Sequence, residues 1–135
     1  MAIQNRRSLL SVAGAALVAA CAGLPYEPAT VQLAGALETE EHFGPPNYGE
    51  TPEQDARETA YVLVLNRPVS VRGDPSSELN TQTFTKVMRI QIVSTNTNLS
   101  ELVDRRVVVV GQLFQPITLH YVTPVALRVT EARAQ

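Results

Sequence analysis

Five stretches of the chain carry the hydrophobic spacing of β-strands. Val31 to Leu37 alternates, with Val31, Leu33 and Leu37 apolar. Tyr61 to Leu65 is a continuous apolar run rich in β-formers. Pro68 has no N–H for a ladder, so it marks an edge or a bulge before Val69 to Val71 resume the strand. Val87 to Val93 alternates again, placing Met88, Ile90 and Ile92 on one face and Arg89 and Gln91 on the other. Val107 to Phe114 reads as a strand buried on both faces for much of its length, and Val125 to Val129 alternates after Pro124. Between the third and fourth stretches, Leu99, Leu102 and Val103 fall at helical spacing. Asn98 and Glu101 form a capping-box-like pair, and Arg105-Arg106 suit a helix C-terminus, so a short helix is expected there.

The predicted order is three strands, a short helix and two strands. It is that of the OB-fold, a small five-stranded Greek-key barrel with a helix between strands 3 and 4. Val31-x-Leu33-x-Gly35-x-Leu37 and Val107-x-Val109-x-Gly111-x-Leu113 repeat one pattern, and a mid-strand glycine permits the sharp bend or bulge that a small closed barrel requires. The fold expected is therefore mainly β, an OB-like barrel over residues 31–132. An open antiparallel sheet or small sandwich is the rival.

The first twenty residues read differently. Met1 to Arg7 carries two positive charges, and the 12 residues from Leu9 to Ala20 carry none. That run is too short to span a bilayer core, which needs about 20 residues. A basic start, a short apolar stretch and small residues make a signal peptide. Val18-Ala19-Ala20-Cys21 resembles the lipobox of bacterial lipoproteins, in which the cysteine is acylated and becomes the first mature residue. Cleavage at Ala20-Cys21-Ala22 without acylation is the alternative, giving a soluble periplasmic protein. Arg6-Arg7 leaves Sec and twin-arginine export both open. The expected organisation is a signal peptide over 1–20, a Pro-containing tether over 21–30 and then the barrel, held by acyl chains to the periplasmic face of a bacterial membrane.

Removing 20 of 135 residues leaves 115, the size of one domain. Loss of Arg6 and Arg7 takes the formal charge from −2 to about −4. Eight acids between Glu27 and Glu58 face only Arg57 in that stretch, a balance that argues against nucleic acid as a partner. Cys21 is the sole cysteine, so its acylation leaves neither a disulfide nor a thiol nucleophile.

Catalytic signatures are lacking. There is no G-x-S-x-G, Walker loop, G-x-G-x-x-G or H-E-x-x-H, and no cofactor is implied. The two histidines, His42 and His120, are weak metal candidates, with Glu38 and Glu40 sharing a strand face with His42. The loop Gly44-Pro45-Pro46-Asn47-Tyr48-Gly49 is more suggestive. Two prolines stiffen it, while Asn47 and Tyr48 offer an amide and an aromatic ring for contact.

Taken together, Phe43-Gly44-Pro45-Pro46-Asn47-Tyr48, Glu58 to Tyr61, Leu65 to Val69, Arg89 to Val93, Arg106 to Phe114 and Thr118 to Thr123 resemble an uncharacterised family of secreted bacterial proteins, domain of unknown function four-four-three-one. The resemblance covers residues 43 to 130 and implies an exported β-rich module with no established activity. The family has a pair of histidines where this chain has His120-Tyr121, which weakens a metal site drawn from it. The expectation is a non-enzymatic, lipid-anchored module that binds an envelope protein, peptide or glycan through Asn47, Tyr48, His120 and Tyr121. An inhibitor or immunity protein against an envelope-acting toxin, and a metal-binding envelope protein using His120 and the acidic stretch, are the alternatives.

Overall fold

A computed structural model describes residues 23–135. The described chain forms six strands: β1 (Leu24–Pro25), β2 (Val31–Phe43), β3 (Arg57–Arg72), β4 (Phe84–Val93), β5 (Arg106–Phe114) and β6 (Ala126–Ala134). The last five close into a barrel. β2 pairs antiparallel with β3 and β5, β3 with β4, and β5 with β6, while β4 and β6 run parallel. This is the strand order of the OB arrangement expected from the sequence, with β1 added parallel to β3. Leu37, Leu63, Ile90, Ile92, Leu113 and Leu127 fill the interior, each almost wholly removed from water.

The two repeated glycine patterns lie side by side. β2 and β5 pair so that Val31 faces Gly111 and Gly35 faces Val107. A Cβ on Gly35 would strike the backbone carbonyl of Val64 on β3, and one on Gly111 the carbonyl of Arg128 on β6. Gly111 also marks the register shift between β5 and β6. The missing side chains let the sheet coil tightly enough to close.

Three expectations need correcting. The short helix is a single 3-10 turn, Ser100–Leu102. Its N-cap is Leu99, with no side-chain cap, and Asn98 does not form the expected capping box; its Oδ1 accepts from the Ser100 N–H two residues on, at 3.1 Å. The turn ends at Val103, whose backbone is already extended (ψ 140°); Asp104 follows in a left-handed conformation (φ 64°), and its N–H donates to the Leu37 carbonyl as the chain enters β5. Met88 does not share the inner face with Ile90 and Ile92. It is 39% exposed, and Val87 turns inward instead. The cause is a register shift opposite Pro68, between the pairs Val64–Arg89 and Val69–Val87, with Lys86 at positive φ beside it. Finally, Leu24 to Tyr26 do not hang free as a tether. Leu24 and Tyr26 are buried in the core cluster, and the Tyr26 hydroxyl donates to the Gln82 carbonyl at 2.9 Å. Their side chains cover the end of the barrel beside Val71, which burial in water-free contact rewards.

The chain enters and leaves at opposite ends of β5. The Glu27 N–H donates to the Leu113 carbonyl at one end, and the Gln135 N–H to the Arg106 carbonyl at the other. The signal segment and Cys21 lie outside the described residues. No helix among the described residues is long and apolar enough to cross a membrane.

Candidate functional site

β2 and β3 continue past the β4 pairing as a two-stranded ribbon, from Glu40–Ala60 to Phe43–Arg57. The loop of residues 44–56 closes the ribbon. Its mouth is shut by two backbone bonds, Gly44 N–H to Ala56 O (2.7 Å) and Ala56 N–H to Pro45 O (2.8 Å). Inside it sits Asp55, the one buried acid among the described residues. Its carboxylate accepts from the N–H groups of Asn47 (2.8 Å), Gly49 (2.7 Å) and Thr51 (3.2 Å), and from the Thr51 hydroxyl (3.0 Å). Burial pushes the Asp55 carboxyl up, but these four bonds outweigh it and hold the group below its ordinary value.

The bonds to Asn47 and Gly49 bracket Tyr48, which is held at φ 51°, a left-handed conformation that costs a residue with a Cβ about 1–3 kcal/mol. The strain aims the ring. Tyr48 meets His120 edge-on, with ring centroids 5.7 Å apart, and its hydroxyl lies 3.4 Å from His120 Nε2. His120 Nδ1 lies 3.0 Å from Glu58 Oε1 on β3. Tyr48, His120 and Glu58 thus join two loops distant in sequence.

The second loop, residues 115–125 between β5 and β6, is itself bound to the outside of the barrel. The Gln91 N–H on β4 donates to Thr123 Oγ1 (2.9 Å), the Thr123 hydroxyl to the Val125 carbonyl (2.7 Å), and the Val122 N–H to Gln91 Oε1 (2.8 Å). Gln91 and the neighbouring Val62 are buried although they point away from the barrel interior. The loop therefore covers part of the β3–β4 outer face, which OB barrels commonly use for ligands.

Of the four candidate residues, the structure brings together Tyr48 and His120. Asn47 is exposed beside them, with its side-chain amide donating to Thr51 Oγ1 at 2.9 Å. Tyr121 points elsewhere: its ring packs edge-on against Phe114, 5.6 Å between centroids, and the Arg128 guanidinium lies over that same Phe114 ring. Successive residues of the loop serve opposite sides of it. The residues that sequence reasoning missed are Asp55 and Glu58. Both fall within the run of eight acids between Glu27 and Glu58, and nothing in the local pattern separates them from Glu50 or Glu53. Other members of the acidic stretch are paired from afar: Glu40 with Arg89, and Glu27 with Arg128 at 3.8 Å.

Among the described residues no three His, Cys, Asp or Glu side chains gather in a way that could hold a metal ion. His42 turns Nδ1 to the Phe43 carbonyl (3.3 Å), and Glu40 is engaged by Arg89. No protein-family model, curated protein or solved structure matches the chain.

Proposed function

We propose that this chain is an exported envelope lipoprotein, acylated at Cys21, whose barrel is a non-enzymatic module that binds a protein or peptide partner through the paired loops around Asn47, Tyr48 and His120. The observation that carries the binding reading is the Tyr48–His120–Glu58 junction. It joins two loops into one preorganised surface and holds an aromatic ring in a strained backbone conformation to do so. A surface ordered before contact loses less conformational freedom on binding, and tyrosine supplies large contact area with few rotatable bonds. The acylation reading rests on the Val18-Ala19-Ala20-Cys21 lipobox and on Cys21 being the sole cysteine.

Capture from envelope extract on the immobilised protein tests the binding surface. The captured partner is expected to be lost with Tyr48→Ala and kept with Thr95→Ala, an exposed position on a different loop. Equal capture by both variants refutes the assignment. For the anchor, Cys21→Ser is expected to release the protein from membranes or block its processing. A mature Cys21→Ser protein that still fractionates with membranes refutes acylation.

A further inference from the structure

β6 outlasts its neighbour on one side. β4 ends at Val93, opposite Arg128, so from Val129 to Ala134 the strand pairs with β5 alone. The direction of its backbone groups follows from one bond. The Gln135 N–H donates to Arg106 O on β5, so the groups of Arg133 and Glu131 also face β5, and those of Ala134 and Ala132 face outward. Among the described residues, no hydrogen bond from the segment Ser94 to Arg105, which follows β4, reaches this edge.

The side chains along the edge are Thr130-Glu131-Ala132-Arg133-Ala134. Ala132 packs against the core on the inner face. Glu131 and Arg133 are exposed on the outer face, opposite Val110 and Val108 of β5. Among the described residues neither makes an ion pair, whereas Arg128 on the same strand pairs with Glu27.

We propose that this edge is a self-association surface, on which β6 of a second copy of the chain pairs antiparallel about a two-fold axis through Ala132. Charge selects the occupant. With the axis at Ala132, Glu131 of each copy lies opposite Arg133 of the other, and the two Ala132 residues exchange backbone N–H and C=O bonds. The opposed charges sit at the closer, non-hydrogen-bonded positions, where opposite charges stabilise a strand pair and like charges destabilise it. The neighbouring axes that the backbone also permits, through Glu131 or through Arg133, set like charges face to face. Of these, the axis through Ala132 is the one that brings opposite charges together. Such a contact closes at two copies, because it consumes the same edge on both. The edge carries neither proline nor lysine, residues that commonly block pairing of this kind, and the bulge beside Thr130 confines it to a short stretch. The pairing needs neither the acylation of Cys21 nor the loop surface around Tyr48.

Reversing each charge in turn tests the register. Full chains of the parent, Glu131→Arg and Arg133→Glu are purified in a density-matched detergent, in which sedimentation equilibrium reports the mass of protein alone, at concentrations up to about 1 mM. The parent is expected to approach the mass of two chains. Each variant alone meets its own kind as like charges and is expected to associate about tenfold more weakly or worse. Mixed in equal amounts, the two variants restore opposite charges at both positions, and the two-chain mass is expected to return. That recovery separates lost pairing from a damaged fold. A parent that stays at the mass of one chain over the whole range overturns the proposal. So does a mixture no more associated than either variant, or a dimer that both variants keep.

Discussion

Asp55 sits in a loop rich in polar side chains, yet it organises the whole segment by accepting four hydrogen bonds. Asp55→Asn keeps the size but replaces an acceptor-only group with one that also donates. It is expected to leave the barrel folded while the Asn47 and Gly49 amides exchange with solvent at least tenfold faster, measured by NMR. Acid acts on the same point. The folded carboxyl sits below its ordinary value near 3.8. Its contribution is therefore fully present above that value and lost as pH falls through the lower folded one. Loosening of this loop is expected only below about pH 4, read from the same two amides. Gly35 and Gly111 are the other decisive residues. A methyl at either meets backbone on the adjacent strand, which cannot rotate away. Gly35→Ala and Gly111→Ala are each expected to cost about 3 kcal/mol, the upper end for overpacking, in urea unfolding.

At the scale of the element, the β-strands were legible because their interior positions alternate and their glycines recur. Pro68 foretold the bulge because it cannot donate to a ladder. The strand lengths were not legible. Glu40 to Phe43 and Arg57 to Ala60 pair as a ribbon, but the ribbon has no continuous apolar face to impose a period on its sequence. The helix was overread because Leu99, Leu102 and Val103 keep helical spacing while only one turn fits between β4 and β5. Tyr48 and His120 were legible as contact residues, but their meeting depends on the path of residues 115–125. That path is set by Gln91 and Thr123, 32 residues apart and without any local signature. Thr123→Val removes the oxygen that satisfies the buried Gln91 N–H and is expected to destabilise the protein by about 1–3 kcal/mol, measured by denaturant unfolding. Leu99, buried at 4% exposure, plugs the barrel beside the 3-10 turn. Leu99→Ala is expected to cost about 2–5 kcal/mol, while Glu101→Ala, exposed on the same turn, stays within about 0.5 kcal/mol of the parent.

For the whole molecule, the entering segment belongs to the fold. Deleting residues 24–30 removes two buried side chains, Leu24 and Tyr26, together with the Glu27–Leu113 and Tyr26–Gln82 bonds. A free spacer could be shortened at no cost. Here the deletion is expected to lower the urea midpoint substantially, with a loss of several kcal/mol, since each large core truncation alone costs about 2–5 kcal/mol. An unchanged midpoint would show that the segment merely rests on the barrel. The charge distribution also changes character at this scale. An N-terminal third that looks uniformly acidic in sequence acquires Arg89, Arg128 and His120 from distant strands and loops, so its surface is mixed.

The bonds that Glu27 and Gln135 make at the two ends of β5 also bear on rebuilding the protein. Seven strand steps lie between Arg106 and Leu113, roughly 23 Å at 3.3 Å each. Joining the two ends of the folded chain into a circle therefore needs a linker of about seven extended residues, longer to skirt the surface. A short splice would pull β6 off β5 or strip the entering segment from the core. Cargo genetically fused after Gln135 rides at the pole of the barrel remote from where the chain comes in.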